Sequence, residues 1–172
     1  MTQENIKYGL IFKPSTTEIL LKGSILSSTK KIEKESTKIV QKLIQKNLGP
    51  NQRQEIKSPK HGRWIASIDE QSVIHVFLVD NDYSERLGYR LVEESMKEIQ
   101  TVPNYYAEPQ HKVESQFYST FRGLMLKYNV PEEIDMMAKV NVNVDKASAK
   151  IGDNITKALG NQQQFVVFLT FF

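Results

Sequence analysis

The sequence predicts an α/β architecture of the α+β kind: a sheet with helices packed on its faces, followed by a C-terminal heptad helix. Three observations lead there. Short runs rich in β-branched and aromatic residues come in pairs joined by brief polar turns. Three longer segments repeat apolar residues at three- and four-residue steps. After Pro131 that repeat tightens into a strict alternation of the two steps.

Ile6 to Lys13 (IKYGLIFK) partly alternates apolar and polar side chains and reads as a strand. Pro14-Ser15-Thr16 supplies a turn, and Thr17 to Leu21 (TEILL) a second strand, so the chain opens with a hairpin. A helix follows, with Ser27, Ser28 or Thr29 available as its cap. Ile32, Ser36, Ile39, Val40, Leu43, Ile44 and Leu48 share one face of it, and lysines occupy much of the other. Gly49-Pro50 is a stop signal.

Residues 51–62 (NQRQEIKSPKHG) read as a loop or a weak edge strand, because Pro59 is out of place in a central one. Arg63 to Ile68 (RWIASI) and Val73 to Val79 (VIHVFLV) are the strongest strand signals, with Asp69-Glu70-Gln71 turning between them. The second is apolar nearly throughout, as expected of a central strand covered on both faces. Asp80-Asn81-Asp82 opens the next helix, where Asp82 with Glu85 three residues on has the spacing of a capping box. Leu87, Leu91, Val92, Met96 and Ile99 form its apolar stripe, and Pro103 stops it. The loop PNYYAEPQHK leads to a third helix with a buried face of Val113, Phe117, Phe121, Leu124 and Tyr128. One domain therefore spans 1–128, with a short break at Asn129-Val130-Pro131.

Composition narrows the function. Of 172 residues, 40% are hydrophobic and 25% charged, which is the balance of a globular chain with a real core. The net charge of +3 comes from lysines spread along the chain, so no nucleic-acid partner is expected. The absence of cysteine removes disulfides, thiolate metal sites and cysteine nucleophiles, and fits a reducing compartment such as the cytosol. The start MTQENIKYGL does not read as a signal peptide. The apolar octet 165–172 (FVVFLTFF) is far shorter than the roughly 20 residues of a spanning helix. Its β-propensity, with no charge and no proline, marks it as aggregation-prone. No dinucleotide fingerprint, Walker loop, HExxH or nucleophile elbow occurs, so no catalytic, cofactor or metal residue is assigned and the chain reads as a non-enzyme. His75, inside an apolar strand, is read as a core histidine, Asp80 and Asp82 as helix-capping, and Tyr105-Tyr106 as loop packing.

The segment 131–164 carries the sharpest pattern. Met137, Val140, Val144, Ala147, Ile151, Asn154, Ala158 and Asn161 hold a heptad seam without a break. A lone surface helix drifts off a 3.5-residue repeat, so the seam calls for a partner helix or for docking on its own domain. The seam is weak. Ala147 and Ala158 bury little area, and Gly152 and Gly160 each cost a helix about 1 kcal/mol relative to alanine.

Val144-Asp145 and Asn154-Ile155-Thr156-Lys157-Ala158-Leu159 resemble the R-SNARE motif of the synaptobrevin family, at the family's spacing. The element order before it, with VIHVFLVDNDYSERLGYRLVEE at its middle, resembles a longin domain as found in R-SNAREs of the vesicle-associated membrane protein 7 type. That resemblance covers almost the whole chain. It implies a longin (profilin-like) mixed sheet of about five strands with helices on both faces. It further implies a part in vesicle-mediated membrane fusion on the cytosolic face of endomembranes, by pairing with Q-SNARE helices. The longin domain would fold the SNARE segment back on itself, an intramolecular longin–SNARE contact, and bind sorting or coat adaptors. Two departures stand out. Asn161 occupies the central-layer position where the family has arginine, so charge-assisted bonds to partner glutamines are lost. Beyond it the chain gives Gln162-Gln163-Gln164 and the apolar octet instead of further heptads, a basic stretch and an anchor. The motif therefore reads as truncated, with membrane association peripheral or through partners. The competing reading is a longin-fold scaffold that binds a small GTPase or coat adaptor without SNARE activity.

Overall fold

The computed structural model describes residues 5–26, 29–130 and 134. Met1–Pro131 form one compact unit and Glu132–Phe172 a second. The elements below belong to the first: strands β1 (Ile6–Lys13), β2 (Glu18–Ser24), β3 (Arg53–Ser58), β4 (Gly62–Ile68) and β5 (Ile74–Val79), and helices α1 (Lys30–Lys46), α2 (Glu85–Glu98) and α3 (Gln110–Tyr128).

The strands form one five-stranded sheet in the order β2-β1-β5-β4-β3. Every neighbouring pair is antiparallel, which corrects the expected mixed sheet. The reason lies in the connections. Parallel neighbours need a crossover between them. The crossover here, α1, carries the chain from β2 at one edge to β3 at the other, so it joins strands that never meet. β5 sits at the centre with all six residues buried, as its apolar run predicts.

Alternation along β1 sorts two cores. Tyr8, Leu10 and Phe12 face α1 and pack with Ile32, Ile39, Val40, Leu43, Trp64, Val76 and Leu78. Gly9, between them, faces the opposite side, where a Cβ would stand 2.6 Å from the Phe121 ring of α3. The absent side chain is what lets α3 lie against the sheet. Phe121 stacks on Phe77 of β5 at 5.3 Å between centroids. The helices thus cover both faces, α1 alone on one, α2 and α3 on the other, and the stripes expected for all three are buried apart from Ile44, which is half-buried. A short 3-10 turn, Ile99–Thr101, closes α2 ahead of Pro103.

Several boundaries move, each for a local reason. β2 runs three residues beyond Leu21, because Lys22, Gly23 and Ser24 pair with Leu10, Gly9 and Tyr8. Thr29 occupies the cap position of α1 but makes no side-chain bond to the helix backbone; its hydroxyl bonds Glu33 Oε1 (3.2 Å) instead. That helix ends at Asn47, left-handed at φ 46°, two residues before Gly49. Residues 53–58 are a strand at the sheet edge, and Pro59 lies in the turn after it. Arg53 of this edge strand reaches α2, pairing with Glu93 and lying over the Tyr89 ring. Gly62 opens β4 at φ +125°, with no room for a Cβ against the Val79 carbonyl. The cap of α2 is Ser84, whose hydroxyl accepts from the Leu87 amide (3.5 Å); the expected Asp82 cap is set aside. Asp80 instead bonds Lys7 Nζ at 3.0 Å. The end of α3 is tied to the start of β1, since Ile6 N–H donates to Asn129 Oδ1 and Asn5 Nδ2 donates to the Asn129 carbonyl, both at 3.0 Å.

Candidate functional site

The heptad positions Met137, Val140, Val144, Ala147, Ile151, Asn154, Ala158 and Asn161 lie outside the described residues, as do the Val144–Leu159 motif and the octet 165–172. Two arrangements in the described part are built from chemically active side chains.

The first is a buried polar cluster across β5, α2 and the loop before α3. His75 is fully buried in β5. Its Nδ1 is 2.9 Å from Ser95 Oγ of α2. Its Nε2 stands 3.4 Å from Asp69 Oδ2, close but off the line of a hydrogen bond. Tyr105 donates its hydroxyl to the same Asp69 oxygen at 2.7 Å, while Oδ1 accepts from the Gln71 and Val73 amides at 2.9 and 2.8 Å. Burial pushes the His75 imidazole below its ordinary pKa, against the opposing pull of Asp69. Burial alone would raise the Asp69 carboxyl, but the adjacent His75 imidazole and the bonds from Tyr105 and the Val73 amide outweigh it and hold it low. Burial and the bond to Asp69 push Tyr105 up. The set is therefore a neutral imidazole beside a carboxylate. With its proton on Nε2 toward Asp69, the ring leaves Nδ1 to accept from Ser95.

Serine, histidine and aspartate in line have the chemistry of a nucleophile, base and orienting acid. Here Ser95 and His75 have no exposed surface and Asp69 has 2%, so no substrate atom reaches the hydroxyl. What the cluster does is satisfy buried polar groups and pin the β4–β5 turn to α2 and the Tyr105 loop. Tyr105 is buried as loop packing requires, and Tyr106 beside it is 42% exposed. The one sequence signal for this network was a lone histidine in an apolar strand, which needs a partner wherever it is buried.

The second is an open groove of about 470 Å³ between α1 and the turn after β3. Ile39 and Pro59 give it an apolar floor, and Lys31, Lys34, Lys38, Lys42, Lys57 and Lys60 line its walls. The spacing of the first four places one lysine per turn on a single side of α1. Glu35 also lines the groove but is turned inward, accepting from Trp64 Nε1 at 2.9 Å with His61 Nε2 4.0 Å away. Among the described residues no group of three or more histidine, aspartate or glutamate side chains is placed to hold a metal ion. No described helix is long and apolar enough to cross a membrane. No protein-family model matches the chain, and no curated protein matches it.

Proposed function

We propose that this chain is a vesicle-transport protein of the longin R-SNARE type. It works at the cytosolic face of endomembranes, where its heptad segment pairs with Q-SNARE helices and its longin-type domain regulates SNARE assembly. The observation that carries this reading is one of order. An α+β domain running strand, strand, helix, three strands and two helices precedes an unbroken heptad seam with Val144-Asp145 and Asn154 to Leu159 in register. Physically the seam supplies a partner-dependent helix. Its small and polar layers bury little on their own, so ordering follows binding. Asn161 offers a neutral amide where partner glutamines would meet a guanidinium, so pairing is weaker than for an arginine layer and suits a regulator better than a driver of fusion.

The test is circular dichroism of the full chain mixed with Q-SNARE helices. The expected result is helicity above the sum of the parts, lost when Val144 and Ile151 are both changed to Asp and strengthened by Asn161→Arg. No gain in helicity, or a gain indifferent to the two aspartates, would sink the SNARE reading.

A further inference from the structure

We propose that the lysine-lined side of α1 is a docking surface for anionic lipid bilayers, held by charge and reversed by salt. This inference rests on the described groove and stands whether or not the heptad segment pairs with SNAREs.

The argument begins with uncompensated charge. Lys31, Lys34, Lys38 and Lys42 step along one side of α1, and Lys57 and Lys60 stand across the groove from them. All six are exposed. Among the described residues none of the six has a carboxylate within ion-pair distance, whereas other lysines of the domain do, among them Lys7, Lys13 and Lys127. The acid in the groove, Glu35, is held by Trp64 and His61. From Lys31 to Lys42 the row extends roughly 16 Å at helical rise, longer than the Debye length of about 8 Å at physiological salt. An extended array of like charge is therefore presented, not a point.

The side-chain chemistry selects the partner. Discrete phosphopeptides are gripped by arginine forks that bond phosphate oxygens in pairs. This surface has no arginine among its lining residues; beside His61 and Glu35 it carries six lysines, with mobile, strongly hydrated ammonium groups. Such a surface reads charge density rather than shape, which is what a sheet of anionic headgroups offers. Among the described residues the exposed large hydrophobic ones, Tyr106, Tyr118, Leu126 and Val130, lie outside the groove, so no described residue on this side is built to insert into the acyl region.

The experiment is co-sedimentation of the full chain with phosphatidylcholine vesicles that do or do not contain about a third phosphatidylserine, near 0.1 M salt. The expected result is binding to the anionic vesicles only, abolished near 1 M salt, where the Debye length falls to about 3 Å. Each lysine near such a surface is worth about a fivefold change in partition, so Lys34, Lys38 and Lys42 changed together to Gln lower binding by about a hundredfold. Lys97, Lys112 and Arg122 changed to Gln remove the same charge from α2 and α3 and leave binding within a few-fold. Both variants are checked for unchanged circular dichroism and melting. Equal losses in the two variants overturn the proposal, since net charge would then suffice. Binding to pure phosphatidylcholine overturns it in favour of apolar insertion. Capture of a polyglutamate peptide without any vesicle binding overturns it in favour of an acidic protein partner.

Discussion

Second in β5, His75 takes a place where every neighbour along the strand is apolar, and its neutrality is open to titration. Its folded-state pKa lies below the ordinary value, so between the two values the unfolded chain binds a proton that the folded chain refuses. Stability is full above about pH 6.5, the unfolded histidine value, and falls as pH drops below it. Asp69 is depressed as well, which adds a second loss below about pH 3.9. We expect the urea midpoint to decline from about pH 7.5 to pH 5 in the parent protein, and His75→Gln to flatten that slope while lowering stability at neutral pH. An unchanged slope in the variant would assign the decline to other groups. That a histidine lies in the core was legible from its apolar surroundings. Its surroundings were not, because Ser95 reaches its ring, and Tyr105 the Asp69 carboxylate beside it, only once α2 and the loop before α3 have packed on the sheet.

Among the elements, type was easier to read than limits. All three helices and strands β1, β2, β4 and β5 follow from periodicity, yet the cap expected for α2, Asp82, is not the one the structure uses. Asp82 and Ser84 both carry an oxygen suited to an N-cap. The structure uses Ser84 because Tyr83 is drawn into the core, with its hydroxyl donating to the Tyr128 carbonyl at 2.7 Å, and that sets where the helix turns inward. Ser84→Ala is expected to lower stability by about 1 kcal/mol and Asp82→Ala by less than about 0.5 kcal/mol, both measured by chemical denaturation. The reverse order would restore the aspartate cap. The edge strand β3 reads in sequence as loop or weak edge strand for its own local reason. Its residues are half-exposed and mostly polar, and its pairing with β4 is visible only in the register Arg53↔Ser67 to Ser58↔Gly62.

For the whole molecule, the fold class was legible, since three amphipathic stripes and four clear strand runs leave few ways to bury both sheet faces. The two hairpins β1–β2 and β4–β5 follow from their turns, but the order that joins them does not, because hydrophobic alternation says which face a strand shows and nothing about which strand lies beside it. The groove on α1 was half legible: the lysines were visible as a polar face, but Lys57 and Lys60 join them only through the turn after β3. A fragment of residues 1–130 contains all five strands and both helix layers found among the described residues. It is therefore expected to unfold in one cooperative urea transition with dispersed amide resonances; a molten fragment would move the domain boundary.

The pairing of β1 with β5 has a consequence for synthesis. Ile6 lies opposite Val79 and Phe12 opposite Ile74, so the first strand made finds its inner neighbour only after the fifth has left the ribosome. Translation at roughly 5–20 residues per second leaves the nascent hairpin waiting some seconds with Leu10, Ile11, Phe12, Leu20 and Leu21 uncovered. The chain emerges, in effect, as two ribbons whose seam is sewn last, and that interval is when a chaperone has most to hold.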